Sequence, residues 1–167
     1  CSPKGVAFLY AKKSLQYIID PLVVSWGYEA EHPTDSQFLD YLQWQGTNDM
    51  SAYLTIPDTI KFLKEYNWDK ITKACWDLNL WAKEKILEEL DAKTLCDERF
   101  LGQMSSFYFS FKDPLNDQIE FYSKYKIQIP FIRWNNKTLF RISIQAYNSK
   151  QDILRFIKAL KDYKKFI

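Results

Sequence analysis

A chain of 167 residues, 47% hydrophobic and 26% charged, has ordinary globular composition; at that length about two thirds of the unfolded surface can be buried, so a core needs neither metal nor disulfide. Its 23 basic and 21 acidic residues leave a net charge of +2, too even a balance for a surface that binds nucleic acid, and the aromatic residues are read as core. No run approaches the ~20 apolar residues of a membrane span and no basic-apolar-small leader opens the chain, while Cys1, Cys75 and Cys96 lack a Cys-x-x-Cys pair and indicate a reducing, cytoplasmic setting.

The first predicted element is a strand. Val6 to Ala11 is a short apolar run behind the turn signal Pro3-Lys4-Gly5, and its composition fits a strand buried on both faces. So little chain before it, with no initiating methionine, is expected of a fragment. Residues 12–48 hold Pro21, Gly27, Pro33 and Gly46 with little periodicity, and read as a long ordered loop with room for a short helix or strand. Helical signals start at Asp49 or Ser51, either able to accept from the first-turn N–H groups. Leu54, Ile56, Ile60, Leu63 and Tyr66 form a helical stripe that Pro57 is expected to bend. Asn67 is placed to cap a longer helix running to about Leu90, with Trp68, Ile71, Cys75, Leu78, Ala82, Ile86 and Leu90 along one side.

Beyond that helix the period changes. Phe107, Phe109 and Phe111 alternate within Met104 to Phe111, which is a strand pattern. Asp113-Pro114 starts a helix whose apolar face is read as Leu115, Ile119 and Tyr122. Ile127 to Trp134 and Lys137 to Gln145 are two further strands joined across Asn135-Asn136, residues that tolerate the positive φ of a tight hairpin. Ser149 caps a last helix, with Ile153, Phe156, Ile157, Leu160 and Tyr163 facing inward. Residues 92–167 therefore predict strand, helix, strand, strand, helix: an α+β layer in which helices cover one face of an antiparallel sheet.

Two places could carry chemistry. Alternation along Thr138 to Gln145 puts Phe140, Ile142 and Ile144 on one face and Leu139, Arg141, Ser143 and Gln145 on the other, so Arg141 presents a rigidly held guanidinium suited to gripping a carboxylate. The plainer reading is a solvent-facing arginine on an open sheet. Within Gln43 to Asp49, Gly46 and Thr47 stand before a helix and could offer N–H groups and a hydroxyl to a phosphate, assisted by the helix dipole. The same residues also make an everyday turn. His32 lacks partners at metal-ligand spacing and is read as a surface residue, Lys4 as part of a turn, and the Lys158–Lys165 cluster as the wet face and end of the last helix.

Four segments, in order, resemble the class V aminotransferases, most closely their isopenicillin N epimerase-like branch: Cys1 to Tyr10, Val23-Val-Ser-Trp-Gly27, Trp44 to Asp49 with Ser51 to Leu54, and Leu139 to Asn148. The resemblance spans essentially the whole chain. It implies the C-terminal part of a fold type I, pyridoxal-phosphate-dependent transferase, with residues 1–50 ending the large cofactor-binding domain and 51–167 forming the small domain. In that family the cofactor lysine lies a few residues before a Ser-Pro-Lys-Gly-like turn, so the resemblance places it, the aspartate that pairs with the pyridine nitrogen and the stacked aromatic outside this chain; Lys4 is not its equivalent.

By resemblance, Arg141 matches the arginine that binds the substrate α-carboxylate, Asn148 shapes the loop beside it, and Gly46 and Thr47 match the turn that reaches the phosphate of the partner subunit's cofactor in a homodimer. The complete protein would racemise, transaminate or eliminate at the α-carbon of an amino acid, while this portion would be inactive alone. Cysteine desulfurases, which share the fold, carry a nucleophilic cysteine near the strand that here reads Ile127 to Trp134, and none stands there, which disfavours sulfur transfer. The alternative is a free-standing, non-catalytic α+β binding module derived from the same domain.

Overall fold

The computed structural model describes residues 1–164. They part into two compact units, Cys1–Glu65 and the chain from Tyr66 onward. The first holds α1 (Gln37–Gln43), α2 (Ser51–Leu54) and α3 (Ile56–Glu65), with a 3-10 turn at Lys13–Ile18. Ser36 starts α1 by accepting from the Leu39 N–H, and the Asp40 carboxylate accepts from both the N–H and the hydroxyl of Thr34, at 2.9 and 2.7 Å. Against this helix lies the loop through Gly27, where a Cβ would fall 1.7 Å from the Asp40 carbonyl oxygen, so only glycine permits the approach. Pro57 occupies the first turn of α3, where its missing N–H costs nothing. It therefore begins a new helix after a break at Thr55 instead of bending a continuous one.

Val6 to Ala11 departs from the expected strand. It has no ladder among the described residues, and Phe8, Leu9 and Tyr10 are 93%, 60% and 77% exposed. An apolar run of this kind is buried only when strands flank it, and here none does.

The second unit contains α4 (Trp68–Glu89), β1 (Lys93–Thr94), β2 (Met104–Tyr108), α5 (Pro114–Tyr125), β3 (Phe131–Trp134), β4 (Lys137–Ser143) and α6 (Lys150–Tyr163). The strands form one antiparallel sheet in the order β1-β2-β4-β3. Asn135 and Asn136 carry φ of 50° and 58°, as a two-residue hairpin requires. Asn67 precedes α4 with a left-handed φ of 48° and makes no side-chain cap, so it turns the chain without completing the first turn's bonds. The two-residue β1 carried no alternation long enough to read from sequence.

One face of the sheet is the core. Phe140 meets Phe107, Phe109 and Phe156 at ring-centroid distances of 5.1, 5.8 and 5.3 Å, and Phe121 of α5 meets Phe131 at 5.3 Å. Ala82 and Ile86 of α4 and Ile153, Ile157 and Leu160 of α6 close the cluster. Truncating a ring as enclosed as Phe140 costs about 3–5 kcal/mol. Ser149 and Asp152 form a reciprocal capping box at the start of α6, whose inward residues are those the spacing predicts. On α5 the stripe is rotated. Leu115, Ile119 and Tyr122 are exposed, while Pro114, Asp117 and Phe121 face inward. The cause is the Asp117 carboxylate, which accepts from the Asp113 N–H at 2.9 Å and from the Tyr163 hydroxyl at 2.9 Å, linking the start of α5 to the end of α6. Burial, followed by the bond to Asp117, raises the Tyr163 hydroxyl well above its usual pKa.

Candidate carboxylate site on the open sheet face

Arg141 sits in the middle of β4 with strands on both sides. It is in register with Ser106 of β2, and its backbone N–H donates to the Pro130 carbonyl at 3.3 Å. The side chain is exposed and lies on the face opposite Phe140 and Ile142. Among the described residues its guanidinium makes no hydrogen bond or ion pair, leaving all of its donors available on a backbone that cannot swing. Leu139 shares this face yet is buried, at 4% exposure, in the row between Tyr108 and Ile132. The open face is thus polar around Arg141 and apolar one step along the strand.

Asn148 lies just past the strand. Its Oδ1 accepts from the Gln145 N–H and its own N–H donates to the Gln145 carbonyl, both at 2.8 Å, so it closes the turn that leads from β4 into α6. The same stretch is tied to β2 through Gln103, which accepts from the Ile144 N–H at 2.8 Å and donates its Nε2 to the Ile144 carbonyl at 3.0 Å.

Behind this edge stands a group that the sequence reading passed over. Asn79 of α4 is fully buried; its Nδ2 donates to the Gly102 carbonyl at 2.8 Å and its Oδ1 accepts from the Ser105 hydroxyl at 2.9 Å. Trp76, one turn earlier, donates its indole N–H to the Leu101 carbonyl at 3.0 Å. These bonds pin the start of β2, the strand that flanks Arg141. The available signal was a carboxamide set between Cys75 and Ala82 on the buried side of a helix, where a polar group must find partners.

Gly46 has φ +105° and open space where a Cβ would lie. Beside it is a recess of about 410 Å³ lined by Trp26, Trp44, Gly46 and Thr47. The expected help from a helix dipole does not materialise, because α2 has four residues and begins at Ser51. Asp49 spends its carboxylate on the Ser51 N–H at 2.8 Å, and that bond holds its pKa below the ordinary value. Gly46 and Thr47 lie in the first unit and Arg141 in the second.

His32 and Lys4 are exposed, Lys4 within a turn. Lys161 pairs with Glu89 and Lys164 with Asp91, in keeping with a wet helix end, whereas Lys165 lies outside the described residues. Cys1, Cys75 and Cys96 are free thiols, and among the described residues no group of three potential ligands could hold a metal ion. No described helix is long and apolar enough to cross a membrane.

No protein-family model matches the chain. Over 176 residues it is 24% identical to isopenicillin N epimerase of Amycolatopsis lactamdurans, an alignment covering 98% of this chain and 44% of that protein. The chain is a homologue of isopenicillin N epimerase. Its fold matches the cysteine desulfurase CsdA of Escherichia coli with a TM-score of 0.74 at 16% identity, over 99% of this chain and 44% of that one. A NifS-like protein follows with a TM-score of 0.60 at 16% identity, over 89% of this chain and 40% of that one. For 8-amino-7-oxononanoate synthase of Francisella tularensis the TM-score is 0.57 at 14% identity, over 78% and 39%. The α+β architecture is accordingly that of part of the fold type I, pyridoxal-phosphate-dependent enzymes, as the class V aminotransferase resemblance implied. The chain spans 44% of the length of the epimerase it matches.

Proposed function

We propose that the chain is the C-terminal portion of a pyridoxal-phosphate-dependent enzyme acting at the α-carbon of an amino acid, and that Arg141 grips the substrate α-carboxylate. The observation that carries this reading is the unpartnered guanidinium in mid-strand on the open face, its backbone N–H bonded to Pro130 and its position in register with Ser106 of β2. A carboxylate offers it two parallel charge-assisted bonds, and a fixed backbone lets those bonds orient the α-carbon as well as bind it. Asn148, by closing the turn beyond Gln145, keeps the chain next to the guanidinium in one conformation. Residues 1–50 would finish the cofactor domain and 51–167 form the smaller one.

The first unit fits one end of the cofactor. The Gly46-Thr47 turn offers a hydroxyl and backbone N–H groups beside an open recess, the donor chemistry a phosphate takes, and it would serve the partner subunit's cofactor in a homodimer. When bound, pyridoxal phosphate supplies an electron sink for a carbanion at the α-carbon. What this chain contributes is a grip at the carboxylate, donors at the phosphate and a fixed substrate orientation. Whether the complete protein racemises, transaminates or eliminates is set by groups near the α-carbon. The Ile127 to Trp134 segment has no cysteine, which speaks against sulfur transfer despite the fold shared with a desulfurase.

The test is a calorimetric titration of the complete, cofactor-loaded protein with an L-amino acid. Arg141→Ala is expected to weaken binding roughly 10- to 100-fold while leaving the absorption of the bound cofactor unchanged. Equal affinity in the two proteins would overturn the clamp. A non-catalytic module is the second reading, favoured by a second unit that closes its own hydrophobic core. It requires that the complete protein bind no pyridoxal phosphate.

A further inference from the structure

Where the β3–β4 hairpin closes the sheet there is a recess of about 530 Å³, and four chain segments bring donors to it: Lys93 on β1, Ser110 in the connection from β2 to α5, Arg133 on β3 and Lys137 on β4. Thr138 also bounds it and alternates with Phe140 to the face opposite Arg141, so the recess does not continue the face of the carboxylate site. Asp91 is the one carboxylate among the described lining residues, and it is paired with Lys164 at 3.7 Å. The cations are largely unspent. Among the described residues the side chains of Lys93, Ser110 and Lys137 make no hydrogen bond or ion pair, and Arg133 gives a single long bond to the Lys112 carbonyl at 3.5 Å. Lys137 Nζ stands 4.9 Å from the centroid of the Tyr108 ring, a contact that holds the ammonium at the rim without neutralising it. Three uncompensated positive charges around one concavity raise the local concentration of anions.

We propose that this recess binds the phosphate of a small soluble phosphate monoester, a ligand separate from the substrate that Arg141 holds. A planar carboxylate is satisfied by one guanidinium fork, whereas donors arriving from four segments suit the tetrahedral oxygens of a phosphate, whose charge at pH 7 is about −2. The space is also larger than a bare ion fills, which leaves room for the organic group of the ester. Such a ligand ties the hairpin to β1 and to the β2–α5 connection. It needs nothing from the Arg141 clamp, and the two sites stand or fall separately.

The test is a calorimetric titration with glycerol 3-phosphate of the complete protein, loaded with pyridoxal phosphate and freed of the excess so that the cofactor's own phosphate site is filled. Lys93→Gln and Lys137→Gln are each expected to weaken binding roughly three- to tenfold. Lys158→Gln, the same loss of charge at an exposed position of α6, should leave it unchanged, as should Arg141→Ala. Binding should also weaken as the pH falls below about 6, where the ester loses its second charge. No measurable binding of glycerol 3-phosphate, or an affinity that Lys137→Gln and Lys158→Gln lower alike, overturns the proposal. Loss of binding in Arg141→Ala would place the ester at the substrate site and overturn it as well. So would binding to vesicles containing phosphatidic acid without binding of glycerol 3-phosphate, which assigns the cations to a lipid surface.

Discussion

The carboxamide of Asn79 has no contact with solvent and gives both of its ends to the segment that starts β2. Asn79→Leu would leave the Gly102 carbonyl and the Ser105 hydroxyl without these partners, and is expected to lower stability by about 2–4 kcal/mol in urea unfolding. Asn79→Asp keeps the shape but loses the donor, so a smaller loss is expected at low pH, where a protonated carboxyl can donate to Gly102 again. Arg141 was legible from sequence because its whole argument is local: alternation decides its face, and the hairpin fixes the strand. Asn79 was not, because its partners lie 23 and 26 residues away, and nothing in the helical spacing says which loop returns to it. Leu139 was half legible. Alternation gave its face, but only the cross-strand neighbours Tyr108 and Ile132 explain why that face is closed there.

At the level of elements, the β3–β4 hairpin depends on two consecutive asparagines at positive φ. Asn136→Val places a β-branched residue in that region and is expected to cost about 1–2 kcal/mol, with Asn136→Gly at least as stable as the native chain in the same unfolding assay. The capping box of α6 yields a pH prediction. Hydrogen bonds from the side chain and backbone of Ser149 lower the Asp152 pKa from its ordinary 3.8. A depressed carboxylate contributes stability that is present above the unfolded value and is lost as pH falls through the folded one. Asp152→Asn should therefore melt below the native protein at pH 7, and the gap should close when the melts are repeated below about pH 4. Helix α5 shows where periodicity misleads: Leu115, Ile119 and Tyr122 have the right spacing, but Phe121 and the bonds of Asp117 decide which side faces the core. Val6 to Ala11 shows the complementary case, since a strand needs neighbours that composition alone does not supply.

On the scale of the whole molecule, the two units differ in how completely they bury their apolar residues. The second has an aromatic and aliphatic core with Phe107, Phe121 and Phe140 fully enclosed, whereas the first exposes Phe8, Leu22 and Trp26 at 93%, 103% and 87%. A chain beginning at Tyr66 is therefore expected to unfold cooperatively on its own, as read by circular dichroism, and the full 167-residue chain to bind a hydrophobic dye that the shorter one does not. A shorter chain with no cooperative transition would refute the division at Glu65. The central claim is the grip of Arg141 on a carboxylate, and its most direct measurement is a crystal structure of the complete, cofactor-loaded protein with an amino acid bound. Both carboxylate oxygens are expected at about 2.8 Å from the Arg141 guanidinium nitrogens. A substrate carboxylate held by other residues, with Arg141 still in solvent, would contradict it.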